Sequence, residues 1–149
     1  MGSSIVVNDI YAEAIADVST IPAYYDIPET DPEQRTVPAG EAWTLLGAVV
    51  ELTTTADVGN RTVALQVVDA DGAIFYETAV NSNVAASQTD ARQSFLIDGP
   101  TSASGNQVEL AKGIVVPPGL TVQAVDKAAI AAGDVINLKL VVNRKLFAQ

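Results

Sequence analysis

The stretch Val63-Ala-Leu-Gln-Val-Val-Asp-Ala-Asp-Gly72-Ala-Ile-Phe-Tyr-Glu-Thr-Ala-Val80 decides the fold class. Val63, Leu65 and Val67 alternate with Thr62, Ala64 and Gln66, the period of two that a half-buried strand requires. Asp69-Ala-Asp-Gly72 then turns the chain, and Gly72 stands where a positive φ is needed. From Ala73 to Val80 a second strand follows, with Ile74 and Tyr76 on one face and Phe75 on the other. The pair is a β-hairpin. Asp69, Asp71 and Gly72 resemble a calcium loop only superficially. Its twelfth position would be Val80 rather than Glu, and helices do not flank it.

The same texture extends in both directions. Upstream, Pro38-Ala-Gly40 is a turn, and Gly40 opens a long strand from Ala42 to Thr55. Along it the apolar parity changes between Gly47 and Val50, which predicts a bulge or burial on both faces. Asp57-Val-Gly-Asn60 turns again. Downstream come Asn81–Thr89 as loop, Ala91–Ile97 as strand with Phe95 and Ile97 inward, and a polar loop from Asp98 to Asn106. Gln107–Val116 makes one or two short strands near Gly113. Pro117-Pro-Gly119 turns into Leu120–Val125, where Leu120, Val122 and Ala124 are in phase. After Asp134 the last strand turns Ile136, Leu138, Leu140 and Val142 inward. Val37-Pro-Ala-Gly40 and Val116-Pro-Pro-Gly119 echo each other, as equivalent turns in two halves of a Greek-key sandwich would. Seven or eight strands without a long amphipathic helix predict an all-β antiparallel sandwich.

Composition sets the limits on function. The chain has 149 residues, 18 acidic and 8 basic side chains, no Cys and no His. One main domain is expected. Disulfides, Cys or His zinc sites, thiol chemistry and Ser–His–Asp catalysis are excluded. The net charge of −10 disfavours nucleic acid and anionic membranes and suits a positive protein surface. No apolar run reaches the length of a membrane span. Met1–Val7 has neither a basic n-region nor a long apolar h-region, so a signal peptide is not expected.

The first 36 residues stand apart. They carry seven acids against one base, Arg35, and Pro22, Pro28 and Pro32 interrupt regular structure. Ile5–Val7 suits a short strand. Asn8 or Asp9 suits the cap of one or two helical turns through Ala16, and Ile21–Glu33 suits extended chain. The expected organisation is an N-terminal arm over residues 1–36 and a sandwich over 37–149.

Candidate functional residues are few. Tyr24 and Tyr25 in the arm are candidates for an interface, since Tyr is favoured there, or for packing on their own sandwich. Arg61, Arg144 and Phe147 are further interface candidates. Arg61 otherwise pairs with Asp57 or Glu51, and Glu51 is expected to pair across a sheet or interface with Arg61 or Arg144. Trp43 is expected in the core, with Gly40, Gly72 and Gly119 as turn residues. Glu51 and Glu109 are the conceivable carboxylate pair for glycoside hydrolysis, but nothing in the sequence brings them together. No catalytic, cofactor-binding or metal-binding residue is expected.

Thr36-Val-Pro-Ala-Gly-Glu-Ala-Trp43, Leu52-Thr-Thr-Thr-Ala-Asp-Val-Gly-Asn-Arg-Thr-Val63, Val116-Pro-Pro-Gly119 and Ala132-Gly-Asp134 carry a resemblance. On these residues the body from Thr36 to Arg144 resembles small virion accessory proteins of tailed bacteriophages. The resemblance implies a jelly-roll β-sandwich without enzymatic activity or cofactor. It implies a decoration or cement protein, commonly trimeric, on the outside of a capsid. The implied partners are the major capsid protein or other virion proteins. A tail- or fibre-associated protein is the first alternative. A carbohydrate-binding sandwich using an exposed aromatic such as Tyr76 is the second.

Overall fold

A computed structural model describes residues 22–25 as backbone, and residues 33–80, 83–97 and 106–147 in full. The expected strand at Ile5–Val7, the helical turns through Ala16 and most of the Asp98–Asn106 loop lie outside the described residues.

Among the described residues ten strands follow in chain order: β1 (Pro22–Tyr25), β2 (Gln34–Thr36), β3 (Glu41–Thr53), β4 (Val63–Val68), β5 (Ile74–Ala79), β6 (Ala91–Leu96), β7 (Gln107–Glu109), β8 (Val115–Val116), β9 (Thr121–Asp126) and β10 (Val135–Leu146). None of the described residues is helical. One sheet, A, runs β1-β10-β3-β6-β7, with β8 also paired to β3. The other, B, runs β2-β9-β4-β5.

The pairing has a simple order. β4 pairs with β5, β3 with β6, β2 with β9 and β1 with β10, all antiparallel. Each pair encloses the one before it, so the chain is a long hairpin folded at Asp69–Gly72 and rolled into two sheets. This is the eight-stranded jelly-roll order. The short β7 and β8 are additions in the connection from β6 to β9, and β7 pairs with β6 in parallel.

The sequence reading of the central turn holds in atomic detail. Asp69 Oδ1 accepts from the backbone N–H groups of Asp71 and Ala73, and Gly72 N–H donates to Asp69 O. Gly72 has φ 85°. The Asp69 carboxylate caps this turn as in an Asx turn.

Inward residues of the two sheets form one core, built on Trp43, Leu45, Val50, Leu52, Leu65, Phe95, Leu138 and Leu140. The parity change in β3 has a cause. Val141 stands opposite Gly47 and Val142 opposite Leu45, so Leu46 is the extra residue of a β-bulge. Trp43 and Leu45 face inward before the bulge; Ala48, Val50 and Leu52 do so after it. A second bulge makes Phe75 the extra residue between Tyr76, opposite Val67, and Ile74, opposite Val68. β4 departs from simple alternation: all six of its residues are buried. It lies inside sheet B, and Gln66 on its outer face is covered by bonds to Glu77 and Gln123.

Two described strands fall within the segment read as an arm. Pro22–Tyr25 and Gln34–Thr36 are edge strands of sheets A and B, each bound to the C-terminal half of the chain. Acid and proline content made this segment read as an appendage, because four- and three-residue edge strands are too short to show a period.

The two Pro-containing turns lie side by side at one end of the sandwich. Glu41 N–H donates to Pro38 O and Leu120 N–H to Pro117 O, with Gly40 at φ 83° and Gly119 at φ 88°. Both are type II turns. Val37 joins them, donating to Leu120 O and accepting from Gly119 N–H.

Nothing lies within reach of a Cβ added at Gly72, so only backbone strain opposes a side chain there. Gly72→Ala is expected to cost about 1–2 kcal/mol and Gly72→Asn less, because Asn tolerates the left-handed region better. Urea unfolding of the two variants checks this order.

Candidate functional site

At the end opposite the two type II turns, two loops meet on one buried ion pair. Arg61 is fully buried. Its Nε donates to Asp134 Oδ2 at 2.7 Å and its Nη2 to Asp134 Oδ1 at 3.1 Å. Its Nη1 donates to the carbonyls of Asp57 and Gly59. Asp134 Oδ1 also accepts from Thr55 N–H. The guanidinium thus closes the Asp57–Asn60 turn onto the residue just before β10. Arg61 is a structural residue enclosed by its own chain, not a contact residue at the surface. The expected partner Asp57 is present through its carbonyl; Glu51 is not.

Glu51 lies instead on the outer face of sheet A, in one row with Asn137 and Arg92. Its carboxylate accepts from Arg92 Nη2 at 2.8 Å and lies 3.2 Å from Lys139 Nζ. The expectation of a cross-sheet pair holds, with different partners. Hydrogen bonds from Arg92 and then Lys139 keep the Glu51 carboxyl below its ordinary value. Beside this triad, Gly47, Val49, Leu96 and Val141 line an aliphatic depression of about 300 Å³. Gly47 supplies it by having no side chain between Val141 and Leu96, its neighbours in the row. Glu109 is on β7, two strands away from Glu51 on β3.

A second depression opens at the end carrying the type II turns. Val67, Phe75, Tyr76, Ile114, Val115, Pro117 and Leu120 line a groove of about 610 Å³ with no charged side chain. The β5 bulge throws Phe75 outward, where it is 66% exposed; Val115 is 59% and Ile74 53% exposed. Tyr76 is half-buried, and its hydroxyl oxygen accepts from Ala111 N–H.

Comparison with protein-family models, curated proteins and solved structures returned no match. The arrangement of residues therefore carries the functional argument.

The remaining candidates divide clearly. Trp43 is in the core, and its indole N–H donates to Glu41 Oε1. Arg144 grips the same carboxylate with two bonds of 3.0 Å. Burial pushes the Glu41 carboxyl up, but the bonds from Arg144 and Trp43 outweigh it and the net direction is down. Phe147 N–H donates to Gly40 O, which fastens the C-terminal end of β10 to the first type II turn. Tyr24 and Tyr25 stand opposite Val141 and Leu140 as backbone; their side chains lie outside the described residues. The aliphatic depression and the groove were both missed from sequence. Each joins residues far apart in the chain, and the outward turn of Phe75 depends on a one-residue bulge.

Hydrogen bonding by Arg61, followed by that of the Thr55 backbone, holds the Asp134 carboxyl below its ordinary value against burial. A carboxyl lowered in this way stabilises the fold fully above its unfolded value. That contribution is lost as pH falls through the folded value. Asp134→Asn is expected to lower the melting temperature by about 10 °C at neutral pH, since it strands a buried guanidinium. The gap from the parent protein should narrow steadily below about pH 4. Circular-dichroism melts across pH measure both effects.

Proposed function

We propose that this chain is a non-enzymatic structural protein of a bacteriophage particle, held to neighbouring protein subunits in the manner of a capsid decoration or cement protein. The observation that carries the reading is the outward face of β10, β3 and β6. An aliphatic centre of Gly47, Val49, Leu96 and Val141 is flanked by the Glu51–Arg92–Lys139 triad. An apolar centre with a charged border is the anatomy of a protein–protein interface. The face is carried on the two longest strands, so it is backed by the core and needs little ordering on binding.

Two further points support the reading. The resemblance over Thr36–Arg144 leads to the same class of protein, and jelly rolls are frequent in viral shells. Fold alone does not assign a function, so the face is the part to test. The capsid exterior is the proposed location, with the chain acting as a trimer. A place on the tail or its fibres uses the same face with another partner. The carbohydrate-binding alternative receives less support: the Tyr76 hydroxyl is bonded to the main chain, and the groove beside it is lined by no charged side chain.

Light scattering after size exclusion is expected to show about three chains per particle. Val49→Arg and Leu96→Asp, each on the outer face, are expected to yield monomers and to abolish co-sedimentation with phage shells. Their effect on folding should stay within about 0.5 kcal/mol. Trimers and shell binding retained in both variants would overturn the assignment of this face. Saturable glycan binding without shell binding would overturn the reading as a whole.

A further inference from the structure

Val58 is the most exposed large apolar side chain among the described residues, 94% exposed in the Asp57–Asn60 turn. A lone surface valine needs no explanation, but the backbone of this one is held on both sides. Nη1 of the buried Arg61 donates to the carbonyls of Asp57 and Gly59, the two neighbours of Val58. Asp57 N–H donates to Thr55 Oγ1, and Thr55 N–H to Asp134 Oδ1. A Cβ on Gly59 would meet Ile130, so the turn lies close against the loop before β10. The tip is therefore a fixed projection: a valine with the exposed Asp57 beside it. Little ordering is left to be done when such a tip docks.

The outer face of sheet A is complementary to it in shape and charge. Successive rows across this face are Val141–Gly47–Leu96, Lys139–Val49–Ser94 and Asn137–Glu51–Arg92. The first row holds the hollow left by Gly47. Lys139 is one row and one strand away from Gly47, about 8 Å between backbone positions. Glu51 is the only acid lining the depression, against the two cations Arg92 and Lys139, in a chain whose net charge is −10. Arg92 reaches Glu51 through Nη2, and its side chain is 63% exposed. A guanidinium has five N–H donors, so Arg92 has capacity for a second carboxylate. A valine seated over Gly47 brings its neighbouring carboxylate to this pair of cations. Repulsion between two acidic chains is screened beyond about 8 Å at physiological salt, and the close contact is not.

The tip does not reach the depression of its own chain. Gly47 is opposite Leu96, and β3 runs on for six residues to Thr53, about 20 Å, with Val58 beyond its end. The occupant is another copy. Tip and depression are different surfaces, so the contact is heterologous and links copies head to tail.

We infer that the Asp57–Val58 tip of one copy seats in the Gly47 depression of the next, with Val58 over Gly47 and the Asp57 carboxylate on Arg92 and Lys139. This inference rests on the reading of the sheet-A face as a subunit contact and names what occupies that face. Head-to-tail contacts close into a ring or run on as a filament, and a ring of three is the trimer proposed above.

The absence of cysteine allows a direct test. Val58→Cys and Leu96→Cys are placed together in one chain and singly in two others. The paired thiols are too far apart to bridge within a chain. Under mild oxidation the double variant is expected to form disulfide-linked oligomers at least about tenfold faster than either single variant dimerises, because seating raises the local thiol concentration. A double variant no faster than the single ones would overturn the inference. Products that stop at three chains support the contact and the ring; products that run on support the contact and overturn the trimer.

A charge exchange gives a second readout without cysteine. Asp57→Lys and Arg92→Glu are each expected to raise the dissociation constant of the oligomer at least about tenfold, read by light scattering across a dilution series. Together in one chain they are expected to bring it back to within about threefold of the parent, which a folding defect would not do. Weakening by both without rescue would overturn the inference. Oligomers unaffected by Asp57→Lys and Val58→Arg but lost in Val49→Arg would overturn this occupant and leave the face as a contact. Oligomers retained in Val49→Arg would overturn the face itself.

Discussion

β3 pairs along its whole length with β10 on one side, and with β6 and then β8 on the other. Its register therefore sets the register of most of sheet A. Over its 13 residues β3 adjusts which parity faces inward. The Leu46 bulge is that adjustment: it resets the parity so that Trp43 and Leu45 at one end and Val50 and Leu52 at the other reach the same core. The same reset places Gly47, Val49 and Glu51 outward. The aliphatic depression and its ion triad are thus the outer consequence of packing the inside.

The two ends of the sandwich are closed by different physics. At one end a buried guanidinium satisfies carbonyls from the Asp57–Asn60 turn and a carboxylate from just before β10. Gly59 fits there because a Cβ would meet Ile130. At the other end closure is by main chain: two type II turns joined through Val37, and Phe147 bonded to Gly40. The first is sensitive to acid and to loss of one partner. The second depends chiefly on proline and glycine, with the Glu41–Arg144 ion pair beside the first turn. The apolar groove opens at the second end, where no charged side chain lines it.

Much of the fold was legible in the sequence. The hairpin at Asp69–Gly72, the bulge in β3, the inward residues of β9 and β10, and the kinship of the two Pro-x-Gly turns all follow from period and turn chemistry. What escaped has a common cause. Strands β1 and β2 are short edges whose identity lies in their partners, β10 and β9, over a hundred and about ninety residues away. Arg61 looked like a surface base after a turn because its partner, Asp134, is 73 residues distant. The pairing of Glu51 was foreseen in kind, but the choice of Arg92 and Lys139 is fixed by registers that sequence does not display. The outward turn of Phe75 hangs on one extra residue.

The rolled-hairpin order has a consequence for how the chain reaches this state. Only β4 and β5 are partners joined by a tight local turn. Each enclosing pair closes a longer loop, ending with β1 waiting for β10. Such a topology places most contacts at large sequence separation, and folding is slow in proportion. During synthesis the first strand emerges long before its partner exists. Its pairing edge stays open until β10 has been made. The proline-rich, strongly acidic stretch around β1 and β2 fits that interval: proline and like charge keep an unpaired edge from joining another nascent chain. The composition that made this segment look foreign to the sandwich is what lets it wait for its place there.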